Sequence, residues 1–222
     1  SYTLGTGDKE KANRYFSMMV YFTILAGILL TVLGIIFVRP MAELFGADES
    51  MMDTCVLYGR IVIAFNATYM LQNIFQSFFV VAEKPRLGLI VTIAAGVTNM
   101  VLDALFVGVF KWGIVGAALA TGISQSIGGL LPLLYFALPN NSPLQLTRTG
   151  FELAPLLKAS SNGCSELMSN VASSLIGIVY NYQLMRLGGE NAVATYGVLM
   201  YIQIVFIAIL KLSLIHNRSC RR

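Results

Sequence analysis

The chain has 222 residues, of which 56% are hydrophobic and 12% charged, and its mean hydropathy is +0.72. An ordinary soluble domain has about 25% charged residues, and a soluble protein of this size has too much surface to bury so many apolar side chains. We therefore expect a membrane protein. The formal net charge of +4 calls for no nucleic-acid partner, because basic residues in membrane proteins mark cytoplasmic loops.

Residues with catalytic or metal-binding chemistry are few. His216 is the single histidine, which excludes multi-histidine metal sites. The three cysteines are far apart, and none has a second Cys or a His at ligand spacing. The turn before Asp8 lacks the strand and the third glycine of a dinucleotide loop, so we predict that Asp8 is a helix N-cap. We expect neither an enzyme nor a cofactor.

Six apolar runs predict six transmembrane helices, because about 20 apolar residues at about 1.5 Å each cross a hydrocarbon core of about 30 Å. In chain order the runs are Tyr15–Val38, Ile61–Ala82, Leu87–Phe110, Trp112–Leu138, Ala159–Met185 and Asn191–Leu210. They are apolar throughout, whereas barrel strands would alternate over about ten residues. The predicted fold class is therefore an all-α polytopic membrane protein.

The connections between the runs carry turn residues and most of the charge. We predict linkers at Arg39–Asp53, Glu83–Arg86 and Pro139–Gly150. With six crossings, one side receives Lys9, Lys11, Arg14, Lys84, Arg86, Arg148 and Lys158, and the other receives Arg39, Lys111 and Arg186. This asymmetry predicts that residues 1–14 are cytoplasmic. We expect the protein to lie in the plasma (inner) membrane.

Two acidic residues lie inside the apolar runs. Placing an ionisable side chain such as Asp103 at the centre of a membrane-spanning helix costs free energy, and residues of this kind usually serve a function. Asn99 lies four residues earlier on the same helical face, so the pair offers oxygens for Na⁺ or a carboxylate for proton exchange. The alternative for this pair is a polar clamp between helices. Glu166 shares a face with Asn162 and Asn170, which indicates either a wet cavity wall or close packing near the interface.

A polar stripe follows helical spacing along the second run. Its members are Asn66, Tyr69, Asn73 and Gln76. Such a stripe lines either a cavity or a helix interface, and the pattern leaves both open. The fourth run is instead rich in Gly and Ala, with Thr121 among its few polar residues, which is typical of a helix that packs closely on its neighbours.

Several motifs together resemble the multidrug and toxic compound extrusion (MATE) transporters. They are Leu4–Asp8 with Ala12-Asn13, Glu83-Lys84-Pro85-Arg86, Asn99-Met-Val-Leu-Asp103-Ala-Leu-Phe106, and Gly113-Ile-Val-Gly116-Ala-Ala-Leu-Ala-Thr121. The resemblance covers about residues 1–209. It implies twelve helices in two six-helix lobes, of which the runs here resemble helices three to eight. On that template residues 1–138 are an incomplete N-terminal lobe of four helices, 139–156 a cytoplasmic linker, and 157–210 the first two helices of the C-terminal lobe.

The same resemblance implies export of cationic, amphipathic compounds in exchange for Na⁺ or H⁺, with small-molecule substrates and the bilayer as partners. Asn99, Asp103 and Thr121 match a cation site of some family members, and Glu166 resembles an acidic residue of the other lobe. We assign Asn66, Tyr69, Asn73, Gln76, Asn162 and Asn170 to the substrate cavity. The expected metal is at most Na⁺ at the three matched residues.

The last residues depart from the family pattern. Residues 211–222 form a basic tail, which we expect either to be unrelated sequence after a frameshift or truncation, or to bind anionic lipid. We expect the chain to be a central part of a longer transporter. The alternatives are a related lipid-linked oligosaccharide flippase and a truncated gene product that does not transport. A flippase would need several basic side chains in its cavity to bind the pyrophosphate of its substrate, whereas only Arg60 is available within the spans.

Overall fold

The computed structural model of the protein describes residues 7–44, 49–150 and 152–219. These ranges contain α1 (Lys9–Leu44), α2 (Glu49–Ala64), α3 (Asn66–Val81), α4 (Pro85–Asp103), the π-helix π1 (Ala104–Val109), α5 (Gly113–Ala137) and α6 (Leu153–Ser219). Within them there is no strand, in agreement with the all-α class. The chain divides into two compact units, Ser1–Leu156 and Leu157–Arg222.

Three helical segments of the described residues are long and apolar enough to cross a membrane, namely Lys9–Glu43, Pro85–Val109 and Gly113–Ala137, and the bent pair α2 and α3 makes a fourth if it is one span. Their outward faces are apolar, as Ile36 at 62% and Met100 at 72% exposure illustrate. Lipid accommodates such faces without cost. The protein is therefore a multi-pass membrane protein. The fifth and sixth predicted spans both lie in α6, and neither is among these candidate spans of the described residues.

The first unit has an aromatic core where α1, α3 and α5 meet. Phe16 of α1 lies against Phe136 of α5 with ring centroids 5.0 Å apart, and Phe75 of α3 stacks on Phe136 at 5.7 Å and 13°. Phe75 and Phe136 are fully buried. Offset and edge-to-face ring pairs add about 0.5–1.5 kcal/mol each beyond their buried area, so this cluster fixes the three helices at one end of the unit.

Small residues let α5 lie at the centre of the first unit. A Cβ added at Gly129 would lie 2.5 Å from the Thr68 carbonyl oxygen, and one at Gly122 would overlap the Phe65 ring. Of the apolar part of α5, 39% is buried, compared with 17% in α1 and 6% in α4 and π1. Close backbone approach through small residues is the usual basis of helix packing in membranes, as predicted for this run.

The predicted second span, Ile61–Ala82, is interrupted by a bend, because the chain changes direction by 42° between α2 and α3. The sequence there contains neither Gly nor Pro. Thr31 of α1 donates from its hydroxyl to the Ile63 carbonyl at 3.2 Å, and Phe65 N–H bonds the Val62 carbonyl at 3.2 Å in a tighter turn. The bend therefore depends on contacts with α1 and α5.

Three predicted helix boundaries also need correction. The linker predicted at Arg39–Asp53 is mostly helical, because α1 continues through Pro40 to Leu44 and α2 begins at Glu49. A proline in the last turn removes few backbone bonds, and Arg39 pairs with Glu43 one turn on at 3.5 Å. The turn predicted at Glu83–Arg86 ends at Lys84, since Pro85 opens α4. The third span is α-helical only to Asp103 and ends in π1.

The second unit is a helical hairpin formed by α6. Gly189 lies inside it with φ 65° and ψ −159°, a backbone conformation that glycine adopts without strain. Tyr180 and Tyr196 would be about 24 Å apart along a straight helix, yet their rings stack at 5.6 Å. The chain therefore reverses at Gly189, between the two runs that the sequence predicts there.

The segment 139–150 is an extended strap docked on α1. Its Thr147 N–H donates to the Ser17 hydroxyl oxygen at 2.8 Å, and its Gln145 N–H donates to Asn13 Oδ1 at 3.0 Å. The spacing of the bonding residues matches on the two segments. Asn13 and Ser17 are four residues apart on a helix, about 6.0 Å, and Gln145 and Thr147 are two residues apart on an extended segment, about 6.6 Å. Leu144 of the strap is 2% exposed and joins the aromatic core.

Candidate functional site

The structure brings three of the predicted site residues to one place, where α4 and α5 pack together. Asn99 and Asp103 lie one turn apart in the last part of α4, and Asn99 Nδ2 lies 3.5 Å from Thr121 Oγ1 of α5. That separation is at the long limit of a hydrogen bond. Hereafter, Asn99, Asp103 and Thr121 are called the candidate cation site.

Asp103 is the least satisfied polar residue of this site. Its Oδ1 atom is buried, and in the described part of the chain no hydrogen-bond partner reaches it. A buried polar atom normally has a partner, and leaving one unpaired costs on the order of 1–3 kcal/mol, more for a charged group. An oxygen of this kind can accept a cation or carry a proton.

The helix changes type immediately after Asp103. The π-helix π1 follows, and Phe110 N–H bonds the Leu105 carbonyl at 2.9 Å, which is the five-residue spacing of a π-turn. Single π-turns inside α-helices occur frequently at functional sites. Beyond it the chain turns sharply at Lys111 and Gly113, with φ of 57° and 56°, so that α5 returns antiparallel to α4 and brings Thr121 back to Asn99.

The polar stripe of α3 is not gathered into one pocket of the first unit. Asn73 Nδ2 donates to the Tyr69 carbonyl one turn earlier at 2.9 Å, and Asn66 Nδ2 lies 3.8 Å from Met70 Sδ. Tyr69 is 49% exposed. Gln76 lines a cavity of about 10 Å³, together with Gln72, Thr92, Gly128 and four other residues. That volume is close to the space of one water molecule.

Glu166, Asn162 and Asn170 lie in the second unit, on the first half of α6. Their side chains are exposed, and the three follow one helical face at four-residue intervals. The Asn170 carbonyl accepts the Ser174 hydroxyl at 2.9 Å, and Ser169 donates to the Ser165 carbonyl at 3.1 Å. The hydroxyls of Ser169 and Ser174 therefore donate to carbonyls of their own helix.

Sequence reasoning missed the polar residues that hold the strap. Ser17 is fully buried, Tyr21 donates to the Thr147 carbonyl at 3.4 Å, and Arg14 pairs with Glu152 at 2.5 Å. A signal was present, because Asn13, Ser17 and Tyr21 recur every four residues at the start of an apolar run. Beside them is an open cavity of about 380 Å³, which is lined by Glu10, Asn13, Arg14, Thr147, Arg148, Thr149 and Gly150.

The chain is similar in sequence to several proteins named as transporters. A family model described as MatE matches residues 1–105. The multidrug export protein MepA of Staphylococcus haemolyticus is 24% identical over 196 residues, which cover 88% of this chain and 43% of MepA. The probable multidrug resistance protein YoeA of Bacillus subtilis is 29% identical over 210 residues, which cover 87% of this chain and 43% of YoeA. The chain thus spans less than half the length of these curated relatives.

Two solved structures share the fold. One is a MOP superfamily transporter from Pyrococcus furiosus, described by a reverse polarity of its binding pocket, with a TM-score of 0.80 and 20% identity over 91% of this chain and 45% of that chain. The other is a MATE protein in a bent conformation, with a TM-score of 0.77 and 20% identity over 91% of this chain and 46% of that chain. At this identity the likeness concerns the fold alone.

Proposed function

We propose that the chain is part of a MATE-family transporter and acts in multidrug efflux, exchanging cationic, amphipathic compounds for Na⁺ or H⁺. The observation that carries the proposal is the buried Oδ1 of Asp103, which lacks a partner among the described residues and lies one helical turn from Asn99. The relatives named as multidrug export and resistance proteins favour drug export over the oligosaccharide flippase.

The candidate cation site suits a coupling ion better than a structural clamp. In a clamp, the carboxylate would be bonded to a donor on the facing helix, whereas here Asn99 contacts Thr121 and Asp103 Oδ1 has no partner within the described ranges. Hard cations prefer oxygen ligands, and the site offers a carboxylate, an amide oxygen and a hydroxyl. Since an unpaired carboxylate is unfavourable in a membrane, the site gains from binding either Na⁺ or a proton.

We propose that polar residues in each unit, taken by itself, contact the drug. In the first unit these are Asn66, Tyr69, Asn73 and Gln76, and in the second they are Asn162 and Asn170, with Glu166 as a second acidic residue. The exposure of Tyr69 and of the Glu166 face supports this, because polar side chains in a membrane-spanning region line a wet cavity or a helix interface.

The proposed architecture has six crossings here, within a twelve-helix transporter of two lobes. Residues 1–138 contribute to the N-terminal lobe, 139–156 form the cytoplasmic linker, and 157–210 contribute to the C-terminal lobe. The reversal at Gly189 supports two antiparallel crossings in the second unit. Alternating access would then expose the drug site first to one side of the membrane and then to the other.

The test is cation-driven efflux by the Asp103→Asn variant of the full-length gene product. Reconstituted into liposomes with either a Na⁺ gradient or a pH gradient, the parent should move ethidium and Asp103→Asn should not, because the amide neither carries a proton nor offers a charge to Na⁺. Asp53→Asn is the matched control, since Asp53 lies exposed on α2. Undiminished ethidium movement by Asp103→Asn would refute the proposed coupling site.

A further inference from the structure

We propose that Gly116 is a positioning residue of the candidate cation site. Its missing side chain lets the backbone of Phe106 approach α5, and this close approach sets the spacing of the site. The inference rests on the proposed function, because it assigns to Gly116 a part in cation binding. It concerns a residue that contacts neither the cation nor the drug.

The contact between the two residues leaves no room for a methyl group. A Cβ added at Gly116 would lie 2.9 Å from Phe106 Cβ and 3.2 Å from both the carbonyl carbon and the carbonyl oxygen of Phe106. Apolar heavy atoms pack best at about 3.5–4.0 Å. Two of the three crowded atoms belong to the backbone, so a change of rotamer cannot relieve the contact, and α4 with π1 must separate from α5 by about 0.5 Å or more.

Phe106 cannot move independently of the site. It lies in π1, three residues after Asp103, and its carbonyl accepts the Trp112 N–H at 2.9 Å. Its ring stacks on the Trp112 ring at 5.1 Å and on the Phe110 ring at 6.2 Å. These contacts bind the π-turn to the start of α5, so a displacement of Phe106 is passed to Asp103.

The site is sensitive to such a displacement. Asn99 Nδ2 and Thr121 Oγ1 are 3.5 Å apart, so a further 0.5 Å takes them beyond hydrogen-bond distance. Thr121 follows Gly116 by five residues, about 7.5 Å along α5. The ligand oxygens of an ion must be held within about 0.5 Å of their productive positions, so the crowding at Gly116 is large enough to weaken cation binding.

The experiment measures cation dependence in Gly116→Ala, with two matched controls on the same segment. Gly96 in α4 and Gly108 in π1 have open space where a Cβ would be added, so Gly96→Ala and Gly108→Ala make the same chemical change without crowding. For each full-length variant, the half-saturating Na⁺ or H⁺ concentration and the KM for ethidium are measured in proteoliposomes. A general structural defect would change the ethidium KM as well as the cation dependence. An unchanged ethidium KM therefore shows that only cation binding is affected.

We expect Gly116→Ala to raise the half-saturating cation concentration by at least about tenfold, with Gly116→Val higher still, while the ethidium KM stays within about twofold of the parent. Both control variants should match the parent. The inference is overturned if Gly116→Ala stays within about twofold of the parent, or if Gly108→Ala shifts it equally. If the parent itself shows no cation dependence, the proposed function fails first, and this inference falls with it.

A second pair of variants keeps the test decisive if Gly116→Ala does not accumulate in the membrane. Phe106→Gly/Gly116→Ala lacks Phe106 Cβ, the nearest of the three crowded atoms, whereas Phe110→Gly/Gly116→Ala loses a ring that lies against Trp112 at 5.3 Å and keeps all three crowded atoms. We expect the half-saturating cation concentration to be at least about fivefold lower in Phe106→Gly/Gly116→Ala than in Phe110→Gly/Gly116→Ala. Equal values, or membrane accumulation that the Phe106 change does not restore, would overturn the proposal.

Discussion

The docking of the strap on α1 predicts a measurable change when Ser17 is replaced by alanine. The Ser17 hydroxyl is fully buried and accepts the Thr147 N–H at 2.8 Å. In Ser17→Ala this N–H loses its acceptor in a partly buried position, which costs about 1–3 kcal/mol. Since each 1.4 kcal/mol is a factor of ten in an equilibrium constant, the population with an open strap should rise by about 5- to 140-fold.

Limited proteolysis measures that population. Arg148 is exposed on the strap, and trypsin cleaves such a site through locally opened states, at a rate that follows their population when opening is fast. The membrane-embedded protein is digested, and the peptide that ends at Arg148 is quantified by mass spectrometry. Cleavage there should accelerate in Ser17→Ala by the factor given above.

Ser126→Ala is the matched control for this experiment. The Ser126 hydroxyl donates to the Gly122 carbonyl one turn earlier in its own helix at 2.9 Å, so its loss leaves the strap untouched. Asn13→Ala should have a smaller effect than Ser17→Ala, because the Asn13 bond to Gln145 is exposed and water can replace it. If Ser17→Ala were cleaved at Arg148 no faster than Ser126→Ala, the reasoning about the docked strap would be wrong.

Two further predictions concern helix packing and topology. Gly122→Ala should lower the free energy of unfolding by about 1–3 kcal/mol, because the added Cβ would overlap the Phe65 ring. Gly108→Ala is the control, since a Cβ there has open space. Thermal unfolding in detergent compares the two variants, and equal stabilities would contradict the packing of α5 on Phe65. Single cysteines at the exposed positions Thr54 and Asn141, in a background without other cysteines, should react with a membrane-impermeant maleimide from opposite sides, with Thr54 outside; labelling of both from one side would refute the orientation.

Features that depend on local chemistry could be predicted from the sequence. The Lys11 N–H donates to Asp8 Oδ1 at 3.0 Å, so the predicted N-cap is confirmed, because capping needs only residues three apart. The small residues of α5 are buried as predicted. The Asn99 and Asp103 pair could be proposed because four-residue spacing on a helix is local geometry.

Features that depend on contacts between distant residues could not be predicted. The bend at Phe65 needs the Thr31 hydroxyl and the space above Gly122, and neither is visible in the sequence around the bend. The close approach of Phe106 in π1 to Gly116 of α5 likewise joins residues ten apart on two different helices. A polar Pro, Asn and Ser stretch is read as a free loop, whereas 139–150 is held by side chains more than 120 residues earlier in the chain.

A measurement of antiport tests most directly the proposal that cation binding at Asp103 drives drug export. In proteoliposomes holding the full-length gene product, an outward ethidium gradient is imposed with no cation gradient, and Na⁺ and H⁺ movements are recorded. We expect cation movement opposite to ethidium in the parent, and neither movement above that of empty liposomes in Asp103→Asn. Ethidium movement without any opposing cation movement in the parent would contradict cation-coupled export.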